Sequence, residues 1–166
     1  PPVCMDLNGF DGLCDFYFIE QSDPDQVAAR IVRLYREELP GKFNLDPVHD
    51  IQVLTPMHRG SVGTINLNQM LQKVLNPQPV LMKALGNAFK IGDKVMHLIN
   101  NYQKEVYNGD IGIISSIDRQ NKELAVDYYG RTVAYTADEF DQISTAYAIS
   151  VHKSQGSEYP VVIVPL

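Results

Sequence analysis

The chain has 166 residues, of which 45% are hydrophobic and 20% are charged, and its formal net charge is −6 at pH 7. This composition is typical of a folded protein about the size of one domain. It argues against wholesale disorder, and the acidic balance argues against a free-standing basic nucleic-acid binder. No apolar run reaches the length of a membrane helix, and the opening residues PPVCMDLNGF lack a basic region, so neither a membrane span nor a secretory signal is expected.

Cysteine and histidine spacing does not predict a metal site. The chain contains two cysteines, Cys4 and Cys14, and without a secretory signal we expect both to be free thiols. The four histidines show neither H-x₃-H nor Cys–His spacing, so no metal ligand is predicted. They are His49, His58, His97 and His152.

Residues 15–85 alternate between strand-like and helix-like patterns. The aromatic and β-branched run at 15–20 predicts a strand. Ser22 and Asp23 are candidates for a helix N-cap, Pro24 suits the first turn, and Pro40-Gly41 predicts the end of that helix.

A second strand and helix follow. Residues 51–55 predict a buried strand, and Thr64 is a candidate cap for an amphipathic helix that ends at Asn76-Pro77. This strand–helix–strand–helix order predicts an α/β layer with a parallel sheet.

Residues 86–140 change in character, because short strand patterns recur between turn signals such as Asn108-Gly109. The predicted strands are 94–99, 110–117, 123–128 and 131–135. Antiparallel strands this short predict a small barrel.

The last part of the chain returns to the earlier pattern. Residues 144–150 predict one strand, and the continuous apolar run at 161–165 predicts another that is covered on both faces. We therefore predict one α/β domain, formed by 1–85 and 141–166, that is interrupted by an inserted barrel at 86–140.

A polar cluster follows the predicted strand at 144–150. Its members are Ser150, His152, Lys153, Ser154, Gln155 and Glu158, with Gly156 among them. Open α/β sheets bind ligands at the carboxyl ends of their strands, and hydroxyl, imidazole and ammonium groups suit phosphate oxygens. A solvated loop with an incidental glycine explains the same residues, so composition alone leaves both interpretations open.

A second cluster, PMHRGSVGT, lies between the strand at 51–55 and the next helix. A helix start favours an anion, and Arg59 there could contact a phosphate. A surface arginine beside a capped helix is the simpler interpretation of the same residues. The sequence contains neither G-x-S-x-G nor G-x-x-x-x-G-K-[ST], so neither a hydrolase elbow nor a self-sufficient ATPase is predicted.

Four segments, in order along the chain, carry a family resemblance. QVLTPMHRG resembles helicase motif IV, HKSQGSEYPVVIV resembles motif V, and GDKVM and VYNGDIG lie between them. Together they resemble the second RecA-like motor domain of superfamily 1 helicases, in the RecD-like branch that includes the alpha subunit of exodeoxyribonuclease V. The resemblance extends from residue 15 onward.

The resemblance implies a fold and an activity. The fold is α/β, an incomplete RecA-like parallel-sheet domain interrupted by a small all-β SH3-like barrel. The implied parent is a cytoplasmic ATP-dependent helicase that moves 5′→3′ on single-stranded DNA and binds ATP with Mg²⁺ between two RecA-like domains. The first domain and its Walker motifs are missing here, so we expect the chain to be a fragment that is inactive alone.

The resemblance also implies roles for individual residues. Arg59 corresponds to the motif IV arginine that reaches the triphosphate. Motif V corresponds to nucleotide contacts at Gln155, Gly156 and Glu158. The DNA-facing residues implied in the two motifs are Thr55, Pro56, Ser150, His152 and Lys153.

The implied partners are single-stranded DNA, the first RecA-like domain of the same chain and nuclease or helicase subunits of an exodeoxyribonuclease V complex, with no membrane. The alternative is a module that binds a protein or peptide through an aromatic groove on the barrel. Its candidate groove residues are Tyr102, Tyr107, Tyr128, Tyr129 and Tyr135.

Overall fold

The computed structural model describes residues 16–166, so Cys4, Cys14 and residue 15 lie outside the described part of the chain. Across 16–166, no helix combines the length and the apolar character needed to cross a membrane. A parallel sheet, an antiparallel sheet and a separate two-stranded hairpin organise this part of the chain.

The first helical region of the described chain is built from three segments. They are α1 (Pro24–Arg33), a π-helical turn (Leu34–Glu38) and α2 (Leu39–Phe43). Asp23 is the N-cap, and its side chain accepts hydrogen bonds from the backbone N–H groups of Asp25 and Gln26.

The predicted helix end at Pro40-Gly41 is wrong, because the helix continues to Phe43 and stops at Asn44 in a left-handed conformation. A π-helical turn widens the helix just before Pro40, which relieves the clash of a proline ring with the carbonyl of the preceding turn.

The predicted strand at 15–20 is also wrong over its described part. Residues 16–20 have no regular secondary structure, and Phe16 and Phe18 are 52% and 44% exposed. The ring of Tyr17 packs edge-on against Phe43, with 6.3 Å between centroids. The segment therefore lies against a helix and pairs with no strand.

The parallel sheet has three strands in the order β10-β1-β9. Its central strand is β1 (Ile51–Thr55), flanked by β9 (Ala148–Ser150) and β10 (Val161–Ile163). The helix α3 (Thr64–Leu75) follows β1 and buries Leu67 and Leu71 in the same core. This confirms the predicted α/β layer.

The strand β10 differs from its prediction. It lies at an edge of the parallel sheet, and Val162 and Val164 are 41% and 47% exposed. The apolar run at 161–165 is therefore not covered on both faces.

The antiparallel sheet has five strands in the order β7-β6-β5-β4-β8, and a separate hairpin pairs β2 with β3. The hairpin strands are β2 (Met82–Ala84) and β3 (Asn87–Phe89). The sheet strands are β4 (Lys94–His97), β5 (Ile111–Asp118), β6 (Glu123–Tyr128), β7 (Arg131–Thr136) and β8 (Ile143–Thr145). Met82 and Ala84 of the hairpin pack against the core of this sheet, so the hairpin and the sheet share one apolar interior.

The residues at 144–150 form two strands in place of the single strand predicted. Met96 of β4 pairs antiparallel with Ser144, whereas Leu54 of β1 pairs parallel with Ile149. Between them, the N–H of Ala146 donates to the carbonyl of Lys94 at 2.9 Å. The chain thus passes directly from one sheet to the other, which places β8 in the antiparallel sheet beyond residue 140.

A buried carboxylate joins the two parts of the fold. Asp93 has no exposed surface, and it accepts hydrogen bonds from Gln72 Nε2 at 2.6 Å, Asn76 Nδ2 at 2.8 Å, the backbone N–H of Lys90 at 2.8 Å and the hydroxyl of Tyr147 at 3.1 Å. Burial raises the pKa of this carboxyl above its ordinary value, against the lowering effect of these donors. Removal of the carboxylate would leave four buried donors unsatisfied.

Lys94 is a buried ammonium beside this junction. It is 2% exposed, and its Nζ donates to the carbonyl of Ile51 at 3.1 Å, which also accepts from the hydroxyl of Tyr35 at 2.9 Å. Burial lowers the pKa of Lys94 to about 8, and the charges of Asp46 and Asp50 offset only part of this effect.

We predict that the free energy of unfolding rises by about 0.5–1 kcal/mol between pH 8 and pH 9, above which ionisation of the buried tyrosines in the unfolded chain opposes the effect. The pKa of Lys94 is lowered to about 8 on folding, so the unfolded chain binds more protons than the folded chain in this range. Urea unfolding at a series of pH values measures the slope. Lys94→Met should flatten it, whereas Lys73→Met, at an exposed lysine of α3, should keep it. A slope that survives in Lys94→Met would assign the effect to another group.

Candidate functional site

The two predicted clusters meet at the carboxyl ends of two neighbouring strands of the parallel sheet. Thr55 ends β1 and Ser150 ends β9, and these two residues are direct partners in the parallel pairing. Because both strands run in the same direction, the loops that follow them leave the sheet side by side. We call residues 56–63 the first loop and residues 151–160 the second loop.

Thr55 is committed to the internal structure of the first loop. Its side chain is fully buried, its Oγ1 donates to the carbonyl of Val62 at 2.8 Å, and it accepts from the N–H of Met57 at 3.2 Å. The hydroxyl therefore closes the loop on itself. Pro56, the next residue, is exposed.

Arg59 lies at the exposed turn of the first loop. Its guanidinium makes no hydrogen bond or ion pair with any residue of the described chain 16–166, so its five donors face solvent. Its backbone, however, is held tightly. Gly60 has a positive φ of 89°, and the N–H of Gly63 donates to the carbonyl of Gly60 at 3.1 Å.

Gly63 is in contact with the Arg59 backbone. A Cβ added to Gly63 would lie 2.6 Å from the carbonyl carbon and oxygen of Arg59, closer than real Cβ contacts allow. The glycine thus permits the turn that presents Arg59. It is also the N-cap of α3, and Thr64, the predicted cap, is the first helical residue.

Two side-chain contacts attach the first loop to its neighbours. His58 Nδ1 and Thr64 Oγ1 are 2.9 Å apart, which links the loop to the start of α3. The hydroxyl of Ser61 donates to the carboxylate of Asp25 at the start of α1.

The second loop begins with a single 3₁₀ turn (Val151–Ser154), which the hydroxyl of Ser154 closes by donating to the carbonyl of Val151 at 2.8 Å. Gly156 follows with a positive φ of 85°. His152, Gln155 and Glu158 are exposed, and their side chains have no hydrogen-bond partner within the part of the chain that the structure describes.

Lys153 differs from its neighbours, because it reaches the antiparallel sheet. Its Nζ donates to Asn108 Oδ1 at 2.7 Å and lies 3.4 Å from the carbonyl of Leu98. The backbone of Gly109, at a φ of 100°, approaches the carbonyl oxygen of Lys153, and an added Cβ would lie 3.7 Å away. Asn108 was not among the predicted site residues, since its contact joins residues that are far apart in sequence.

The structure does not bring the five candidate groove tyrosines together. Tyr128 and Tyr135 are buried, with their hydroxyls 2.8 Å apart. Tyr102 and Tyr107 are exposed and pack edge-on, with ring centroids 6.0 Å apart, and Tyr129 is 93% exposed at a hairpin turn. Burial of two members removes them from any surface groove.

The described residues 16–166 contain no group of three or more His, Cys, Asp or Glu side chains positioned to hold a metal ion. The exposed polar side chains of the two loops are instead one guanidinium, two imidazoles, one amide, one carboxylate and one hydroxyl. Groups of these types bind phosphates, hydroxyls and nucleic-acid backbones through hydrogen bonds.

Comparison with known proteins places the chain in a family. Residues 67–128 match the model of the SH3 domain of ATP-dependent RecD-like DNA helicases, and residues 145–166 match the UvrD-like helicase C-terminal domain.

Two curated relatives agree with these matches. The ATP-dependent RecD2 DNA helicase of Deinococcus radiodurans is 32% identical over 87% of this chain and 19% of its own length. The RecBCD enzyme subunit RecD of Haemophilus influenzae is 26% identical over 80% of this chain and 19% of its own length. The chain thus spans about a fifth of the length of these relatives.

The fold also resembles that of a solved helicase. The Pif1 helicase from Bacteroides, solved in complex with ADP-AlF3 and ssDNA, matches with a TM-score of 0.51 at 18% identity, over 90% of this chain and 44% of that chain. The predicted resemblance is confirmed, and the chain belongs to the RecD-like branch of the superfamily 1 helicases.

We predict that Gly63→Ala lowers the free energy of unfolding by about 1–3 kcal/mol and shifts the amide NMR signals of Arg59 and Gly60, because the new methyl group displaces the Arg59 backbone. Gly41→Ala is the matched control. It lies within α2 with no atom within 4 Å of the added Cβ, so it should stabilise the protein by about 0.5–1 kcal/mol. Unchanged Arg59 signals in Gly63→Ala would show that the turn does not depend on the glycine.

Proposed function

We propose that this chain is part of a longer ATP-dependent DNA helicase that moves 5′→3′ along single-stranded DNA. In this proposal the chain supplies one side of the ATP cleft and part of the DNA track. The observation that carries it is the direct pairing of Thr55 with Ser150, which sets the first and second loops side by side at the carboxyl ends of β1 and β9. The span of about a fifth of its relatives supports a segment of a larger machine.

Arg59 is the residue we propose to act on the nucleotide. It is exposed, its guanidinium is unpaired within residues 16–166, and its backbone is fixed by a tight turn. A guanidinium presented in this way stabilises negative charge that develops on a transferred phosphoryl group, and because its backbone is already fixed, binding orders only the side chain.

The exposed polar residues of the second loop complete the nucleotide side in this proposal. Gln155 and Glu158 offer an amide and a carboxylate for hydroxyl and base atoms, and Gly156 lets the backbone approach a ligand closely. The ATP and its Mg²⁺ bind chiefly to the first RecA-like domain of the parent, since this sequence has no phosphate-binding P-loop.

The DNA side consists of residues near the ends of β1 and β9. We propose that Ser150, His152 and Lys153 contact the DNA backbone, and that Pro56 lies against the strand. Thr55 contributes by holding the first loop in shape, because its hydroxyl is used internally. Such contacts hold a single strand without reading its sequence.

The partners of the whole protein follow from the same proposal. They are single-stranded DNA, the first RecA-like domain of the same polypeptide and nuclease or helicase subunits of an exodeoxyribonuclease V complex, all in the cytoplasm. One of the curated relatives is itself a subunit of the RecBCD enzyme.

The proposed role of Arg59 predicts a loss of ATP hydrolysis in the full-length helicase. Arg59→Ala should reduce DNA-stimulated turnover about a hundredfold or more while nucleotide binding persists, because charge in the transition state loses its partner. Arg36→Ala, at an exposed arginine of the π-helical turn, should leave turnover unchanged. The 166-residue chain alone should show no turnover above a buffer blank. Full activity in Arg59→Ala would remove the residue from the nucleotide site.

The proposed track predicts weak, salt-sensitive binding of this chain to single-stranded oligo(dT). His152→Ala should weaken binding severalfold in fluorescence anisotropy, because it removes a donor beside the strand. His49→Ala is the matched control, since His49 is exposed but precedes β1, at the opposite end of the parallel sheet. Equal losses in both variants, or tight binding that survives high salt, would contradict the track.

A further inference from the structure

An open groove lies on the antiparallel part of the fold, outside both loops. It has a volume of about 510 Å³, and its apolar lining comes from the β2–β3 hairpin, the segment before it and the 3₁₀ turn (Ala137–Gln142). The apolar lining residues are Leu81, Met82, Ala84, Leu85, Ala137 and Phe140. Nothing in the proposed helicase chemistry uses this surface.

Three cations surround this apolar lining. Lys83, Arg119 and Lys122 line the groove, all three are exposed, and none has a hydrogen bond or ion pair with another residue of the described chain. The groove is therefore a positively charged site that no carboxylate of the described chain neutralises by direct contact.

Leu85 breaks two local rules at the edge of the groove. It is 73% exposed, and its φ is 50°, in a turn where asparagine or glycine is the favoured residue. A leucine in that position has a strained backbone and leaves an apolar side chain in water. Local rules broken without a folding benefit are expected at functional sites.

The shape and chemistry favour a peptide over a nucleic acid. Phosphates would pair with the cations but leave the aliphatic lining uncovered, and Phe140 is only 4% exposed, so it offers no ring face for base stacking. A peptide that alternates carboxylates with apolar side chains satisfies both features. Among the described strands, β2 pairs with β3 alone, so the backbone groups on its other side have no strand partner and could pair with an extended segment.

We propose that this groove binds an extended acidic peptide of a partner protein, with apolar side chains on Leu85 and its neighbours and carboxylates on Lys83, Arg119 and Lys122. The site is independent of the proposed ATP and DNA contacts. Its function is to recruit a partner to the surface of the antiparallel sheet.

The test uses the 166-residue chain and a short fluorescein-labelled peptide of alternating Asp and Leu. The peptide should bind with an affinity that falls as salt rises, and a version with Lys in place of Asp should not bind. Leu85→Asn should weaken binding about tenfold without lowering the melting temperature, because asparagine tolerates positive φ.

Tyr129→Asn is the matched control. Tyr129 is also exposed, has a φ of 53° and precedes a glycine in a hairpin turn, but it does not line the groove. Its variant should bind the peptide as the unmodified chain does. The double variant Arg119→Ala, Lys122→Ala should bind weakly and lose most of the salt dependence.

Three outcomes would overturn the proposal. They are the absence of peptide binding in the millimolar range, equal binding by Leu85→Asn and the unmodified chain, and oligo(dT) binding that competes with the peptide and weakens in the Arg119→Ala, Lys122→Ala variant. The last result would assign the groove to nucleic acid. None of them depends on Arg59 or His152, so the helicase proposal stands or falls separately.

Discussion

The position of both loops depends on the buried carboxylate of Asp93. Its four donors come from α3 and its C-cap, from the turn before β4 and from the link between β8 and β9. The first loop leads into α3, and the second loop follows β9, so the same carboxylate anchors the elements that carry each of them. A buried charge is costly unless its hydrogen bonds are satisfied, and here satisfaction requires that the two sheets pack in one relative arrangement.

The sequence predicted those elements of the fold that pack against a single sheet or core along their whole length. β1, α3 and β6 follow their hydrophobic periodicity to within a residue. The segment at 144–150 could not be predicted in the same way, because its periodicity is continuous while its hydrogen-bond partners change from β4 to β1. Likewise, the π-helical turn before Pro40 leaves no signal in composition.

The candidate site shows the same division. The two loops were predicted from polar residues that follow strands, and the structure does place them side by side at the carboxyl ends of β1 and β9. What the sequence could not reveal were contacts between distant residues, such as Lys153 with Asn108, and steric ones, such as Gly63 against Arg59. The predicted tyrosine groove failed for a related reason. Tyr128 and Tyr135 face a core that forms only when β6 pairs with β7, and this pairing is not visible in the sequence.

The hydrogen bonds of Lys153 couple movement of the second loop to the antiparallel part of the fold. If the loop shifts, it must either pull the Asn108 turn along or release a 2.7 Å contact. Because this hydrogen bond is exposed to solvent, breaking it costs about 1 kcal/mol or less. Small displacements of the second loop would therefore move the Asn108 turn with it, and larger ones would break the hydrogen bond.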